Sequence, residues 1–202
     1  DVLQLSTGAH AFADNDKLKN IETIKTASGG SEVDLSAQTE ALTITGDAGA
    51  DIITGGKGID TINAGDGTDT ITGGAGNDII TGGAGVDTFK VDKDTDTIKD
   101  LGGASGGEAD ILIVSKDAKA EATVSVSFTA TADTVNNAAN DVTKAVISTD
   151  TDGATIDLKD ATGVYTLKGG AGVDNLTGSA GADTIDAGDG TDTIIIAAEG
   201  KG

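Results

Sequence analysis

Large apolar residues fall on every ninth position from Leu35 through Ile44, Ile53, Ile62, Ile71, Ile80, Phe89 and Ile98. The same beat returns at Leu158, Leu167, Leu176, Ile185 and Ile194. Between them run glycine- and aspartate-rich turns such as Gly73-Gly74-Ala75-Gly76-Asn77-Asp78. A strict short period predicts a solenoid, because one such repeat cannot bury its own apolar residue and must stack on its neighbours. The three residues around each apolar position make a short strand with the central side chain inward. Successive turns then fall on opposite edges, and one coil takes two repeats. The fold class is all-β: two parallel β-roll blocks, about residues 37–99 and 160–196, joined by additional β-strands.

Elsewhere the pattern is less regular. Asp1 to Ser6 reads as a strand, and so does much of 110–167, where Val124, Val126 and Phe128 alternate with polar residues. Ala145–Thr149 and Ala154–Leu158 flank Asp150-Thr151-Asp152-Gly153, which predicts a hairpin turn. Asp133–Lys144 is the one candidate helix, with an unfavourable Asn and Thr content. Segment 33–71 aligns without a gap on 156–194, pairing Asp51 with Asp174 and Asp69 with Asp192 and repeating AGDGTDTI at 64–71 and 187–194. DVLQLS at the start resembles DILIVS at 110–115. The chain therefore divides into two copies of one module, 1–101 and 110–202, around a Gly-rich linker at 102–109.

Composition sharpens this reading. Lys and Arg total 13 against 34 Asp and Glu, a net charge of −21, and only six of the acids are glutamate. Aspartate is short and suits turns, so the bias points to metal-binding turns rather than a solvated acidic face. Few aromatics and high charge also describe disordered chains, but a disordered linker has no reason to keep a nine-residue register. The charge makes nucleic acid a poor partner. No cysteine is present for disulfides or thiolate sites. No stretch is apolar enough for a transmembrane segment, and the chain reads as a piece of a larger protein.

Set in nine-residue frames, the first block reads GDAGADIIT, GGKGIDTIN, AGDGTDTIT, GGAGNDIIT, GGAGVDTFK and VDKDTDTIK. The second reads GGAGVDNLT, GSAGADTID and AGDGTDTII. Glycines hold the first place (Gly46, Gly55, Gly73, Gly82, Gly169), the second (Gly56, Gly65, Gly74, Gly83, Gly170) and the fourth (Gly49, Gly58, Gly67, Gly76, Gly85, Gly172, Gly181, Gly190). They permit positive φ and free carbonyls to converge. The sixth-place aspartate adds a charged oxygen, and carboxylate with carbonyl oxygens is the ligand set of calcium. Two columns follow: Asp51, Asp69 and Asp87 on one edge, Asp60, Asp78 and Asp96 on the other. In the second block Asp174 and Asp192 share an edge, with Asp183 opposite. Stacked strands lie roughly 4.8 Å apart. Bare carboxylates at that distance repel by about 0.9 kcal/mol in water and ~3.5 kcal/mol at an effective dielectric near 20, so several Ca2+ ions are expected between them.

These frames resemble the RTX repeat GGxGxDxUx, in which U is a large apolar residue. Asp47 at a second place, and Ala64 and Ala187 at first places, depart from it and are expected to hinder positive φ. The frame from Val91 carries Asp92 and Asp94 in glycine positions, so its turn is expected to differ and Asp96 to matter less than Asp69. Asp66 and Asp189, at third places, read as solvated turn residues, with extra ligands as the alternative. Frames 37–45 and 160–168 keep the apolar beat without the glycines and read as N-terminal caps.

The resemblance implies a protein exported by the type I system of a Gram-negative bacterium and folding in external calcium. Among such proteins the sequence is most similar to surface-layer (S-layer) subunits, acidic, cysteine-free and poor in aromatics. These self-associate in a calcium-dependent lattice on the cell surface, with a polysaccharide as candidate anchor for parts outside this chain. A calcium-rigidified section of a large adhesin, or the C-terminal region of a secreted enzyme or toxin, are the alternatives. Catalysis is poorly supported: the single histidine, His10, sits in what reads as a polar loop, and there is neither cysteine nor G-x-S-x-G. Tyr165 aligns with Leu42 and reads as core.

Overall fold

The computed structural model describes residues 1–12, 18–102, 109–137, 141, 143–150 and 152–197. Among these residues every named strand pairing is parallel and there is no helix. One long face holds ten strands, from Val2–Gln4 through Thr61–Asp66 and Lys119–Val124 to Thr184–Asp186. A second face of seven strands runs from Gly8–Ala11 to Val135–Asn136. The predicted beat sets the register. Ile44, Ile62, Ile80 and Ile98 stack as direct partners on the long face, and Ile53, Ile71, Phe89 and Leu112 on the second. All eight are at most 1% exposed. Inward residues repeat at each coil because a strand turns alternate side chains to opposite faces.

The middle of the chain changes the cross-section. A third face of four strands, Ser127–Thr129, Thr155–Asp157, Asn175–Thr177 and Thr193–Ile195, replaces the second face in the later coils. Around residues 119–136 the chain visits all three faces in one coil. A bridge between Val135 and Thr162 carries the second face one step further. A three-sided coil encloses more volume than a two-sided one, and it is filled by Phe128, Tyr165, Val124, Ile147, Ile156 and Leu101, each fully buried. Tyr165 is core, as expected, and its hydroxyl donates to the Thr162 carbonyl at 2.9 Å.

Several sequence expectations are corrected here. Residues 124–128 are not one strand: the chain turns a corner at Val126, which is half exposed, so Val124 and Phe128 lie on different faces. Strands Ala145–Thr149 and Thr155–Asp157 do not form a hairpin. Each pairs in parallel on its own face, and Asp150 and residues 152–154 lie between the two faces. Parallel neighbours supply the ladder that a hairpin partner would have given. The candidate helix is displaced by the strand Val135–Asn136, while 138–140 and 142 lie outside the described residues. Frames 37–45 and 160–168 are internal coils rather than caps, since Thr43–Thr45 and Thr166–Lys168 each sit between two strands of the long face. His10 lies on a strand in register with Val33, not in a loop. Most of the expected linker, 103–108, lies outside the described residues; the long face runs through both module sequences.

Truncating the three-sided core should be costly. Phe128→Ala is expected to lose about 3–5 kcal/mol in denaturant unfolding at saturating calcium. Ile59→Ala, at a residue 61% exposed, should stay within about 0.5 kcal/mol.

Candidate metal centre

The turns are built by the glycine-aspartate motif and by the coil beneath them. Each sixth-place aspartate folds its side chain inward, and its Oδ1 accepts a backbone N–H from the preceding coil. On one edge Ser31, Asp51 and Asp69 donate to Asp51, Asp69 and Asp87, at 2.6, 2.7 and 2.9 Å. On the other, Leu42, Asp60 and Asp78 donate to Asp60, Asp78 and Asp96, at 2.8, 2.8 and 3.1 Å. In the second block Ala154 donates to Asp174, Asp174 to Asp192 and Tyr165 to Asp183. Both predicted columns are therefore present as side-chain ladders. Asp51, Asp60, Asp69, Asp78, Asp87, Asp96 and Asp174 are at most 1% exposed, while Asp183 and Asp192 are half-buried.

The second carboxylate oxygen is the unusual one. Oδ2 of Asp69, Asp78, Asp87, Asp96 and Asp174 is buried with no hydrogen-bond donor. Burying an ionised oxygen without a partner is strongly unfavourable. The surroundings are shaped to leave room beside it. A Cβ on Gly73 would lie 2.4 Å from Asp78 Oδ2 and 3.0 Å from Asp96 Oδ2. One on Gly82 would lie 2.3 Å from Asp87 Oδ2, and one on Gly169 2.8 Å from Asp174 Oδ2. These first-place glycines are not left-handed. They are needed for space beside the carboxylate, which corrects the expectation of positive φ at this place. Ala64, at a first place, and Asp47, at a second, also lie outside the left-handed region.

Burial pushes these acids up. Asp78 is raised to about 6, mainly by desolvation against the lowering effect of the Asp60 N–H, with the charges of Asp60, Asp92 and Asp94 adding to the rise. Asp87 and Asp96 reach about 7 for the same leading reason. Asp110, Asp69 and Asp100 crowd the first, and Asp78, Asp92 and Asp94 the second. Asp60 and Asp69 are also raised, chiefly by burial. A cation beside the orphaned oxygens would supply the counter-charge that favours their ionised form.

The frame from Val91 keeps the turn it was expected to lose. Asp94 takes the left-handed conformation, φ 53°, in place of the fourth glycine. Asp96 is fully buried with its ladder bond intact. Asp66 and Asp189 are exposed, as read. Three participants were not singled out beforehand. Asp110 continues the Asp87 edge, its Oδ1 accepting Asp87 N at 2.9 Å, and its separation by 23 residues rather than 18 hid it. Asp100 accepts Gly82 N and Gly83 N. Gly178 leaves room for the Asp183 carboxylate, which a Cβ would approach to 2.7 Å, and its first place in GSAGADTID was the available signal.

The family model of the RTX calcium-binding nonapeptide repeat (4 copies) matches residues 43–62, 63–98 and 166–195. Comparison with curated proteins and with solved structures finds no match. The matched segments are RTX repeats, which bind Ca2+ at multiple sites and typify extracellular proteins exported by type I systems. The donor set fits that ion. Among the described residues no three acidic or histidine side chains gather into a cage. Each turn instead brings one buried carboxylate, and the remaining oxygens fall to turn carbonyls, hard ligands suited to Ca2+. Asp69, Asp78, Asp87, Asp96 and Asp174 would hold it, and bound calcium would supply the counter-charge their Oδ2 atoms lack.

Two outcomes follow. Because the raised carboxyls bind protons in the folded state that the unfolded chain has released, their stabilisation of the metal-free fold is complete at low pH. It is lost as pH rises through about 6–7. In chelator, the residual β signal by circular dichroism should fall between about pH 5 and pH 8, and calcium affinity should rise across the same window. Asp96→Ala should cost as much calcium-induced stability as Asp69→Ala, since both remove a fully ladder-bonded buried carboxylate; calcium titration followed by thermal melting compares them.

Proposed function

We propose that this chain is a calcium-binding structural segment of a secreted surface-layer protein, which folds and assembles into a lattice when it meets external calcium. The observation that carries the calcium part is the set of buried Oδ2 atoms without donors along both edges. Asp69, Asp78, Asp87, Asp96 and Asp174, whose Oδ2 atoms lack donors, are the candidate ligand positions. The two module sequences, 1–101 and 110–202, supply repeated calcium-dependent rolls. No helix among the described residues is long and apolar enough to cross a membrane. The role is structural rather than catalytic, in keeping with an RTX fold whose carboxylates are committed to turns.

Assembly follows from charge. Subunits carrying −21 repel at contact even at a Debye length of about 8 Å. Calcium along the edges lowers that charge and stiffens flat parallel faces for contact with further copies. Anchoring to a cell-surface polysaccharide would belong to parts outside this chain.

Far-UV circular dichroism tests the folding step: chelated protein should be mostly coil and turn to β at roughly 10⁻⁴–10⁻³ M calcium, and a full β signal in chelator sinks the reading. Electron microscopy of the parent protein tests the lattice. Sheets in calcium that dissolve in chelator support it, while elongated monomers at millimolar calcium favour the adhesin alternative.

A further inference from the structure

The turns fall into two conformations. Gly49, Gly67, Gly76, Gly85, Gly172 and Gly190, at fourth places, have φ between 118° and 159°, and Asp94 enters the left-handed region in the same place. Turns 55–60 and 178–183 are built otherwise: neither Gly58 nor Gly181 is left-handed. In both, the second-place amide points inward at the aspartate four residues on. Gly56 N donates to Asp60 Oδ2 at 2.7 Å, and Ser179 N to Asp183 Oδ2 at 2.6 Å. Oδ1 of each is already taken by the coil above, from Leu42 N and Tyr165 N, both at 2.8 Å. In the second case Ser179 Oγ lies 3.0 Å from both carboxylate oxygens and also from Gly163 O. Every oxygen of these two carboxylates thus meets a protein donor. Five of the other aspartates keep an orphan.

The two turns occupy the same position in the duplication, since Asp60 aligns with Asp183, and each is the first glycine turn on its edge. The coil stacked above each lacks the first- and second-place glycines of the motif, although Gly163 keeps a left-handed fourth place above the second. A Cβ on Gly58 would lie 2.3 Å from Glu40 O, and one on Gly181 2.1 Å from Gly163 O.

Resting on the calcium reading above, we infer that turns 55–60 and 178–183 are metal-independent locks. Asp60 and Asp183 are satisfied by N–H and O–H donors rather than by calcium, and Asp60 marks where calcium dependence begins on its edge. A carboxylate with two or three such donors is stable ionised without a cation. An ion binding there would have to break the bonds that shape the turn.

Counting bound calcium by native mass spectrometry on the full chain tests this. Asp78→Asn and Asp174→Asn should each bind fewer ions than the parent. Asp60→Asn and Asp183→Asn should bind the same number. Circular dichroism in calcium reports which variants fold. If Asp183→Asn does not, Ser179→Ala, which removes only the hydroxyl, should keep the full ion count while lowering the thermal midpoint. An ion lost in Asp60→Asn, Asp183→Asn or Ser179→Ala overturns the inference and leaves the calcium reading standing. A parent chain that binds no calcium removes the calcium reading instead.

Discussion

The structure depends on one unmet requirement: a buried carboxylate oxygen in most turns for which the protein supplies no donor. Everything else about the turn is provided. The neighbouring coil satisfies Oδ1, the first-place glycine clears space, and the apolar residue two positions on is buried against its register partners. The missing term is a positive charge at Oδ2. Because the same ladder bond joins each aspartate to the coil before it, leaving one oxygen uncompensated strains two coils at once. Cooperativity between neighbouring repeats is then built into the hydrogen bonding and does not need to be added by long-range effects.

This arrangement explains why so acidic a chain can form an ordered solenoid. At neutral pH the acids of the two edges would be mutually repulsive, and burial together with neighbouring aspartate charges raises Asp87 and Asp96 to about 7. Protons or divalent cations can relieve that burden. Protons do so only in acid, and calcium does so at the pH of most extracellular fluids. The fold is conditional on its solution because its core is thin. The inward side chains form a single file of isoleucines along much of each face, and little else offsets buried charge.

Much of this was legible in the sequence. The nine-residue beat gave the inward residues, the face each occupies and the coil length, because a strand alternates its side chains and a tight turn needs glycine. The two aspartate columns followed from that geometry. The third face was not legible. Residues 110–152 contain no glycine, and an alternating apolar pattern is the same for parallel and antiparallel strands, so the sequence Asp150-Thr151-Asp152-Gly153 reads as a hairpin although its flanking strands pair in parallel on separate faces. Nor could the motif distinguish open from closed turns. GGKGID at 55–60 matches the repeat in full, yet Asp60 Oδ2 is held by Gly56 N. The difference lies in the coil above it, which the motif does not contain.

The position of the large side chains bears on where order starts. Phe128, Tyr165 and the apolar residues around them gather where three faces meet, and the Asn136 and Asp110 side chains nearby have protein partners. Asn136 Nδ2 donates to Val164 O at 2.6 Å, and Asp110 is held by both Asp87 N and Gly102 N. This region combines the greatest apolar burial with the fewest carboxylates that ask for a cation. The rolls on either side reverse that balance, with thin cores and orphaned oxygens. A chain so arranged has a middle stabilised chiefly by hydrophobic burial, which calcium concentration does not touch, and flanks stabilised chiefly by charge compensation, which calcium concentration controls. The middle offers each flank a preformed parallel edge, so calcium-driven ordering extends an existing sheet and avoids the cost of nucleating a coil in isolation.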